Sequence, residues 1–461
     1  MAGSVRLALV VGTCAVGGAI AGCGPTGKSR AAASSTSSPA PTLAHVVLDP
    51  STRYQTIDGF GAADTWTPGG PLSADDARLF FDPDAGIGLS LLRVGIEADG
   101  GPLGSGALSD IQAAASYGAR VWASPWTPPA SEKDNNNPNN GGQLCAAAGT
   151  TCAGDDYDAW AVILAQFAAD VQSQTQVSLY GISAQNEPDY QASYASCLYT
   201  PDQLVAFINV LGPKLAGLSP PVKLIAPESQ NWSDLWNGPA YGTAILNDPT
   251  ASRLVGVLAT HDYGYGPVAP PSGLTIPLWE TEVSGLPPLG GPDVTIANGL
   301  LVARWVYDAI VYGDASAWHY WWLVSQNNDD NEGLLFEPGA GPSDAGDVSS
   351  PPKRLYTVGN FSRFVRPGAA RVDVSGAPAG AAIAAFEDPA TSTIAIVAIN
   401  SATNDISFTL TIAGSGSSTP FTPWVTSATE DLAPQPPVDV ASGVFTATLP
   451  AQSVTTFVGQ P

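Results

Sequence analysis

From about residue 56 to residue 350, the pattern of hydrophobic positions alternates between two kinds of segment. Short β-rich apolar runs are separated, for the most part, by longer segments whose apolar side chains recur at helical spacing. Eight runs predict strands, at 56–62, 89–95, 120–124, 179–185, 223–227, 255–261, 276–281 and 315–322. Eight alternating strand and helix units predict an α/β fold, the (β/α)8 TIM barrel.

Local signals mark where several of the intervening helices begin. An apolar stripe predicts a helix over 156–172. Thr200 and Gln203 have the spacing of a capping box, which predicts a helix from this point. Two further helices are expected from residue 73 and over 296–312. These segments fall between predicted strands, as a barrel requires.

After residue 356 the pattern changes to short alternating strands separated by Gly, Pro and Ser. The predicted strands are 383–387, 393–400, 406–412, 421–426, 444–449 and 453–458. Such spacing predicts an antiparallel β-sandwich. The segment 45–48 also has a strand pattern but has no partner in the barrel. We therefore expect a side domain built from both chain ends.

The N-terminus has the pattern of a targeting segment. Arg6 is its only charge, and the apolar stretch 7–20 is too short to span a bilayer comfortably. The following Ile-Ala-Gly-Cys resembles the bacterial lipobox, which would make Cys23 a lipidated first residue. An ordinary signal peptide cut nearby is the alternative. The expected organisation is a signal peptide at 1–22, a flexible tether at 23–43, a side-domain strand at 44–56, the barrel at 57–354 and the side domain at 355–461.

The charge balance excludes some partners. Lys and Arg number 17 and Asp and Glu 41, which gives a net charge of −24. A chain this acidic is expected to repel nucleic acid and anionic membranes. The same negative charge mildly disfavours a polyanionic substrate. Solubility alone is the simplest alternative explanation of the charge.

The cysteines do not indicate a metal site. Cys14 lies in the signal segment and Cys23 at the lipobox. Cys145 and Cys152 flank a short loop and could form a disulfide in an oxidising compartment, which leaves Cys197 free. No Cys/His spacing is typical of zinc, and three histidines are too few for a His-rich site. We expect no metal and no cofactor.

Two glutamates stand where predicted strands end. Glu187 follows the run 179–185, and Glu282 follows the run 276–281. In a barrel, the carboxyl ends of the strands are where catalytic groups gather. Two carboxylates facing each other across a cleft are the minimum needed to cleave a glycosidic bond.

Several motifs occur in order along the chain and resemble glycoside hydrolase family 30. They are IDGFG at 57–61, LLRV at 91–94, ASPWTPP at 123–129, QNEPDY at 185–190, YASC at 194–197, WETE at 279–282 and RFVRPG at 363–368. The similarity extends over 54–458 and is closest to the bacterial endo-xylanase branch. It implies a retaining mechanism, with Glu187 as acid/base at the end of strand four and Glu282 as nucleophile at the end of strand seven. Retention needs the two carboxyl groups about 5–5.5 Å apart.

The roles of the two glutamates predict their surroundings. Glu187 must stay protonated near neutrality, so an apolar, Trp-rich wall or the charge of its partner should raise its pKa. Arg93 on strand two is the expected donor to Glu282, although a purely structural ion pair is an alternative. Asn186 could hydrogen-bond the sugar 2-OH. His261, which could instead be a satisfied core group, and Tyr263 end strand six and could reach toward Glu282.

Tryptophans are the candidate sugar platforms, because aromatic faces suit the C–H faces of pyranosides. The candidates are Trp66, Trp126, Trp318 and Trp321. Strand eight alternates its side chains between two faces, so only part of the set can face the cleft. We expect half of it to be ordinary core.

The chain departs from the glucuronoxylan-specific members of the family. Those members carry an arginine pair after the Trp-Trp of strand eight and a tyrosine two residues past the nucleophile. Here the corresponding positions read LVSQNN at 323–328 and Ser284. The missing bidentate clamp for a carboxylate favours a neutral glycan.

Taken together, the sequence predicts an extracellular or cell-surface retaining endo-β-glycanase. A neutral, xylan-like polysaccharide is the favoured substrate, with a β-1,6-galactan or β-1,6-glucan backbone or exo-action as alternatives. An alternative of another class is a non-catalytic glycan-binding lipoprotein. We expect a monomer with no nucleic-acid partner, attached to the outer membrane or cell surface only through its lipid anchor.

Overall fold

The structure, a computed structural model, describes residues 43–460 apart from 66–70, 105, 146–156, 265, 286–292, 326–330 and 337–350. Its strands are β1 Ala44–Thr56, β2 Gly59–Asp64, β3 Leu91–Ile96, β4 Pro102–Leu103, β5 Arg120–Pro125, β6 Gly181–Ser183, β7 Lys223–Ser229, β8 Val255–His261, β9 Leu278–Glu282, β10 Ala317–Ser325, β11 Gly333–Phe336, β12 Ala370–Ser375, β13 Ala381–Asp388, β14 Thr393–Asn400, β15 Ile406–Ile412, β16 Thr422–Thr426, β17 Ala433–Pro434, β18 Val444–Leu449 and β19 Ser453–Gly459. Its helices are α1 Ala74–Phe81, α2 Ala107–Ser116, α3 Asp158–Thr175, α4 Pro201–Ala216, α5 Ser233–Trp236, α6 Tyr241–Asn247, α7 Ala251–Leu254, α8 Ile296–Val311 and α9 Lys353–Ser362. Among these helices, none combines the length and the apolar character needed to cross a bilayer.

Eight parallel strands close into the predicted barrel. Their order is β2, β3, β5, β6, β7, β8, β9 and β10, and pairing of β10 with both β9 and β2 closes the ring. Each of these strands overlaps one of the eight predicted runs. The capping box of Thr200 and Gln203 also forms, with both reciprocal hydrogen bonds in place at the start of α4.

The barrel interior is packed with apolar and aromatic side chains below the site. The inward layer consists of Leu91, Trp122, Ile225, Val257, Ala259, Trp279 and Ala317. His319 lies among them, where its Nδ1 donates to the Glu280 carbonyl at 3.1 Å and its Nε2 accepts from Trp122 Nε1 at 3.1 Å. Burial lowers the pKa of His319 to about 3, so this histidine is neutral. It is part of the packed floor on which the site rests.

The second sheet has nine strands in the order β17, β16, β19, β14, β13, β12, β1, β15 and β18. The N-terminal β1 joins it as expected, antiparallel to β12 and parallel to β15. The sheet is therefore not antiparallel throughout, because β1 runs in the same direction as β15. Most of its strands contribute to one apolar core, in which Phe421 stacks on Phe445 and the ring of Phe457 is tilted against Phe445. The pattern did not predict β12 or the two-residue β17.

Candidate active site

The carboxyl ends of the barrel strands lie on one face of the barrel and bring the two predicted glutamates together. Glu187 lies in the loop after β6, and Glu282 is the last residue of β9. Both are buried. One oxygen of each and one ring nitrogen of His261 all lie within 4.8 Å of one another. The predicted pair therefore forms one site.

Two donors hold the carboxylate of Glu282. The Tyr263 hydroxyl donates to Oε1 at 2.8 Å. The guanidinium of Arg93 on β3, which is fully buried, donates from Nη1 to Oε2. Both residues were predicted to contact Glu282, and the donor role of Arg93 is confirmed. One neutral and one cationic donor fix the orientation of this carboxylate.

Glu187 has the surroundings of a general acid. Burial raises its pKa, and the nearby charge of Glu282 adds to this effect. The ring of His261, whose Nδ1 is 3.1 Å from Oε1, acts in the opposite direction but does not cancel it. Glu187 therefore keeps its proton to a higher pH than an ordinary glutamate, as predicted. Burial is the main cause.

His261 is a cationic donor. Although burial works against the charge, Glu282, Glu187 and Glu228 together raise the pKa of His261 to about 10. The imidazolium then donates from Nδ1 to Glu187 at 3.1 Å and from Nε2 to Glu228 at 3.5 Å. His261 is thus part of the site, and the core-group alternative does not hold for it.

Glu228 is a third buried carboxylate that the sequence analysis missed. It is the next-to-last residue of β7 and accepts from Arg93 Nη2 at 2.6 Å and from Ser124 Oγ at 2.6 Å. Burial disfavours its charge, but Arg93 and His261 outweigh this effect and lower its pKa. A signal existed, because Glu228 also follows the apolar run of a predicted strand.

Asn186 lies in the site as predicted. Its Oδ1 accepts from Arg93 Nη2 at 2.6 Å, and its backbone N–H donates to the Pro125 carbonyl at 2.9 Å. These bonds hold the side chain beside Glu187. The contact of Asn186 with a sugar hydroxyl stays a prediction.

Two of the predicted tryptophans lie beside Arg93, the residue that binds Glu282. Trp126 and Trp321 have ring centroids 5.9 Å apart, and the Arg93 guanidinium is 4.7 and 5.6 Å from them. Trp322 stacks on Trp321 at 5.0 Å. Together they form an aromatic wall on one side of Arg93.

Trp318 is not a sugar platform, so this prediction was wrong. Its side chain is fully buried in the core between the strands and the helices. Alternation along β10 turns Ala317 and His319 inward and Trp318 and Tyr320 outward. Trp318 therefore cannot reach the cleft, whereas Trp321 can.

Some predicted residues cannot be placed. Trp66, Cys23 and Cys152 lie outside the described residues. Cys145 takes part in a disulfide bond, and Cys197 is a buried free thiol. The pairing of Cys145 with Cys152 stays a prediction.

Glu187, His261 and Glu282 form the group with metal-ligand spacing among the described residues. A histidine protonated on both nitrogens has no lone pair to offer a metal. With the Arg93 cation also bound to Glu282, this set is better suited to proton transfer and nucleophilic attack than to holding a cation.

Comparison with known proteins identifies the family. The glycosyl hydrolase family 30 TIM-barrel domain matches residues 108–271, and the family 30 beta sandwich domain matches residues 368–457. Glucuronoxylanase XynC of Bacillus subtilis (strain 168) is 30% identical over 429 residues, which cover 90% of this chain and 91% of that protein. The chain belongs to glycoside hydrolase family 30.

Solved structures of family 30 xylanases share the whole architecture. The subfamily 8 xylanase Xyn30A from Clostridium acetobutylicum is 30% identical, with a TM-score of 0.75 and coverage of 90% of this chain and 100% of that one. The catalytic domain of xylanase C from Talaromyces cellulolyticus is 28% identical, with a TM-score of 0.77 and coverage of 90% and 99%. This family 30 protein is therefore a glycoside hydrolase similar to xylanases.

Proposed function

We propose that this family 30 protein is a retaining endo-β-xylanase that acts on the neutral xylan backbone. The observation that carries the proposal is the separation of at most 4.8 Å between one oxygen of Glu187 and one of Glu282. Retaining enzymes have carboxyl groups about 5–5.5 Å apart, whereas inverting enzymes need about 6.5–9.5 Å to admit a water molecule. The separation here favours direct attack by a carboxylate.

In the first step, the Glu282 carboxylate attacks the anomeric carbon and forms a glycosyl–enzyme bond. The bond from this carbon to the leaving sugar oxygen breaks, and Glu187 donates its proton to that oxygen. Arg93 and Tyr263 hold Glu282 in position for the attack.

In the second step, water attacks the same carbon and releases Glu282, while the Glu187 carboxylate takes the proton from the water. The His261 imidazolium donates to Oε1 of Glu187 and so supports the carboxylate form that this step needs. Two inversions at one carbon restore the original configuration.

The xylan backbone is supported by relatives whose names describe xylanases. Independence of glucuronate is supported by the residues of this chain. Ser284 presents a hydroxyl 3.4 Å from Tyr263, and the end of β10 consists of Leu323, Val324 and Ser325. None of these side chains is a cation that could bind a uronic acid.

A panel of polysaccharides tests the proposal. Linear unsubstituted xylan should be cleaved to a mixture of oligosaccharide lengths, as endo-action requires, with no need for glucuronate side chains. Cleavage of glucuronoxylan alone, a single short product, or preference for β-1,6-galactan or β-1,6-glucan would each contradict it. Lack of activity on every β-glycan would favour the glycan-binding alternative.

We also propose that the protein works outside the cell as a lipoprotein, because xylan is too large to enter. The support is the apolar stretch 7–20 followed by the lipobox cysteine Cys23. Growth of expressing cells with a labelled fatty acid should label the wild type but not Cys23→Ser. Equal labelling of both proteins would contradict the anchor.

A further inference from the structure

Glu228 takes no part in the double displacement, yet it touches both cations of the site. We infer that Glu228 is a positioning residue that holds Arg93 and His261 as one unit behind the nucleophile and the acid/base. The inference rests on the proposed function and adds a residue to it.

The side chain of Glu228 is buried and bonded to protein donors, so it cannot contact substrate. Its Oε1 is 2.6 Å from Arg93 Nη2 and 3.5 Å from His261 Nε2, and its Oε2 accepts from Ser124 Oγ at 2.6 Å. The side chain is fully buried. Both carboxylate oxygens are thus committed to protein donors.

Each of the two cations that bind Glu228 also donates a hydrogen bond to one catalytic carboxyl group. Arg93 uses Nη2 for Glu228 and Nη1 for Glu282. His261 uses Nε2 for Glu228 and Nδ1 for Glu187. One carboxylate therefore sets the position of the groups that orient both the nucleophile and the acid/base.

The backbone makes a third connection. The carbonyl of Glu228 accepts the N–H of Glu187 at 3.0 Å. Glu228 and Glu187 have φ values of 63° and 46°, a left-handed conformation that non-glycine residues rarely adopt. Such strain concentrates at functional sites and persists only where the surroundings impose it.

The charge of Glu228 matters as well as its shape. His261 faces the carboxyl groups of Glu187, Glu228 and Glu282, and its ring packs nearly perpendicular to that of Tyr263. Glu280 and His319 also interact with it electrostatically, and Arg93 binds Glu228 and Glu282 beside it. While Glu187 is protonated, two cations share the charges of Glu228 and Glu282. Without Glu228, both cations would depend on Glu282 alone, and His261 would release its proton more readily.

Glu228→Gln tests this inference, because it keeps the size and one acceptor oxygen but removes the charge. We expect kcat on xylo-oligosaccharides to fall roughly 10- to 100-fold, as when partners behind functional groups are lost, with little change in KM. The ring signals of His261 should titrate at lower pH than in the wild type, followed by NMR and assigned with His45→Gln and His319→Gln. Circular dichroism checks the fold.

Wild-type kcat, or an unchanged His261 titration, would overturn the inference. The titration does not depend on activity, so it still reports on Glu228 if the substrate or the stereochemistry proves different from the proposal. If Glu228→Gln does not fold, Ser124→Ala is the second test. It removes one hydrogen bond to Glu228 and keeps the charge, and we expect kcat to fall roughly 5-fold with His261 still protonated. Full activity would contradict positioning by Glu228.

Discussion

Tyr263 at the end of the sixth barrel strand donates a hydrogen bond of 2.8 Å to Oε1 of Glu282 at the end of the seventh. Burial raises the pKa of Tyr263 well above its usual value, so the hydroxyl remains a donor. A hydrogen bond to a charged group is worth about 1.5–3 kcal/mol. We predict that Tyr263→Phe lowers kcat roughly 10- to 100-fold.

Tyr307→Phe is the matched control for this change. Tyr307 is half-buried on α8, and its ring makes a T-shaped contact with that of Tyr312. Steady-state kinetics on xylan should show wild-type kcat for the control and the loss for Tyr263→Phe. Equal kcat values for both variants would show that Tyr263 does not position the nucleophile.

The catalytic assignment predicts the effect of removing either carboxyl group. Glu187→Gln cannot donate the proton, which should cost about 10²–10⁴-fold in kcat on xylan. The kcat of the same variant should fall much less on an aryl glycoside, because the leaving group of that substrate needs no proton. Glu282→Gln should be inactive on both substrates, since no glycosyl–enzyme bond can form.

Glu280→Gln offers a control on the same strand as Glu282. Glu280 is fully buried in the outer core, where burial raises its pKa well above the usual value. Burial thus disfavours the charge of Glu280, and a neutral amide of similar size should leave kcat near that of the wild type. Comparable losses in Glu280→Gln and Glu282→Gln would argue for a folding defect rather than for lost chemistry.

The pH profile should follow the proton on Glu187. Its raised pKa means that activity is lost only when the pH rises through that value, so Glu187 sets the alkaline limb of kcat/KM. The His261 cation lowers the pKa of Glu187, and replacing it removes that effect. We predict that His261→Gln lowers kcat but moves the alkaline limb to higher pH. A shift to lower pH would contradict the assigned contact.

The two faces of β10 predict different outcomes for two neighbouring tryptophans. Trp318→Ala leaves a cavity in the core and should lower the free energy of unfolding by about 3–5 kcal/mol. Trp321→Ala should mainly raise KM, because Trp321 lies in the aromatic wall. Urea unfolding and kinetics on both variants check this. A higher KM for Trp318→Ala with unchanged stability would reverse the assignment.

The sequence could predict much of the site because the carboxyl ends of all eight barrel strands lie on one face of the barrel. That rule is enough to bring Glu187, His261 and Glu282 together. Glu228 obeys the same rule at the fifth strand, but among 41 acidic residues its position alone did not reveal bonds to Arg93 and Ser124.

Other features depend on geometry that local patterns do not contain. Alternation along β10 was evident, but its phase was not, and Trp318 was therefore placed on the wrong face. The pairing of β1 with β12 and β15 joins segments more than 300 residues apart. A strand pattern predicts that β1 needs a partner, while the direction of the pairing is decided by the assembled sheet.

The stereochemistry of the first product tests the central claim most directly. Linear xylo-oligosaccharides are hydrolysed in an NMR tube, and the anomeric proton of the new reducing end is followed from the first minutes. A retaining enzyme should release the β-anomer first, with the α-anomer growing in later by mutarotation. Initial release of the α-anomer would contradict attack by Glu282 and the double displacement built on it.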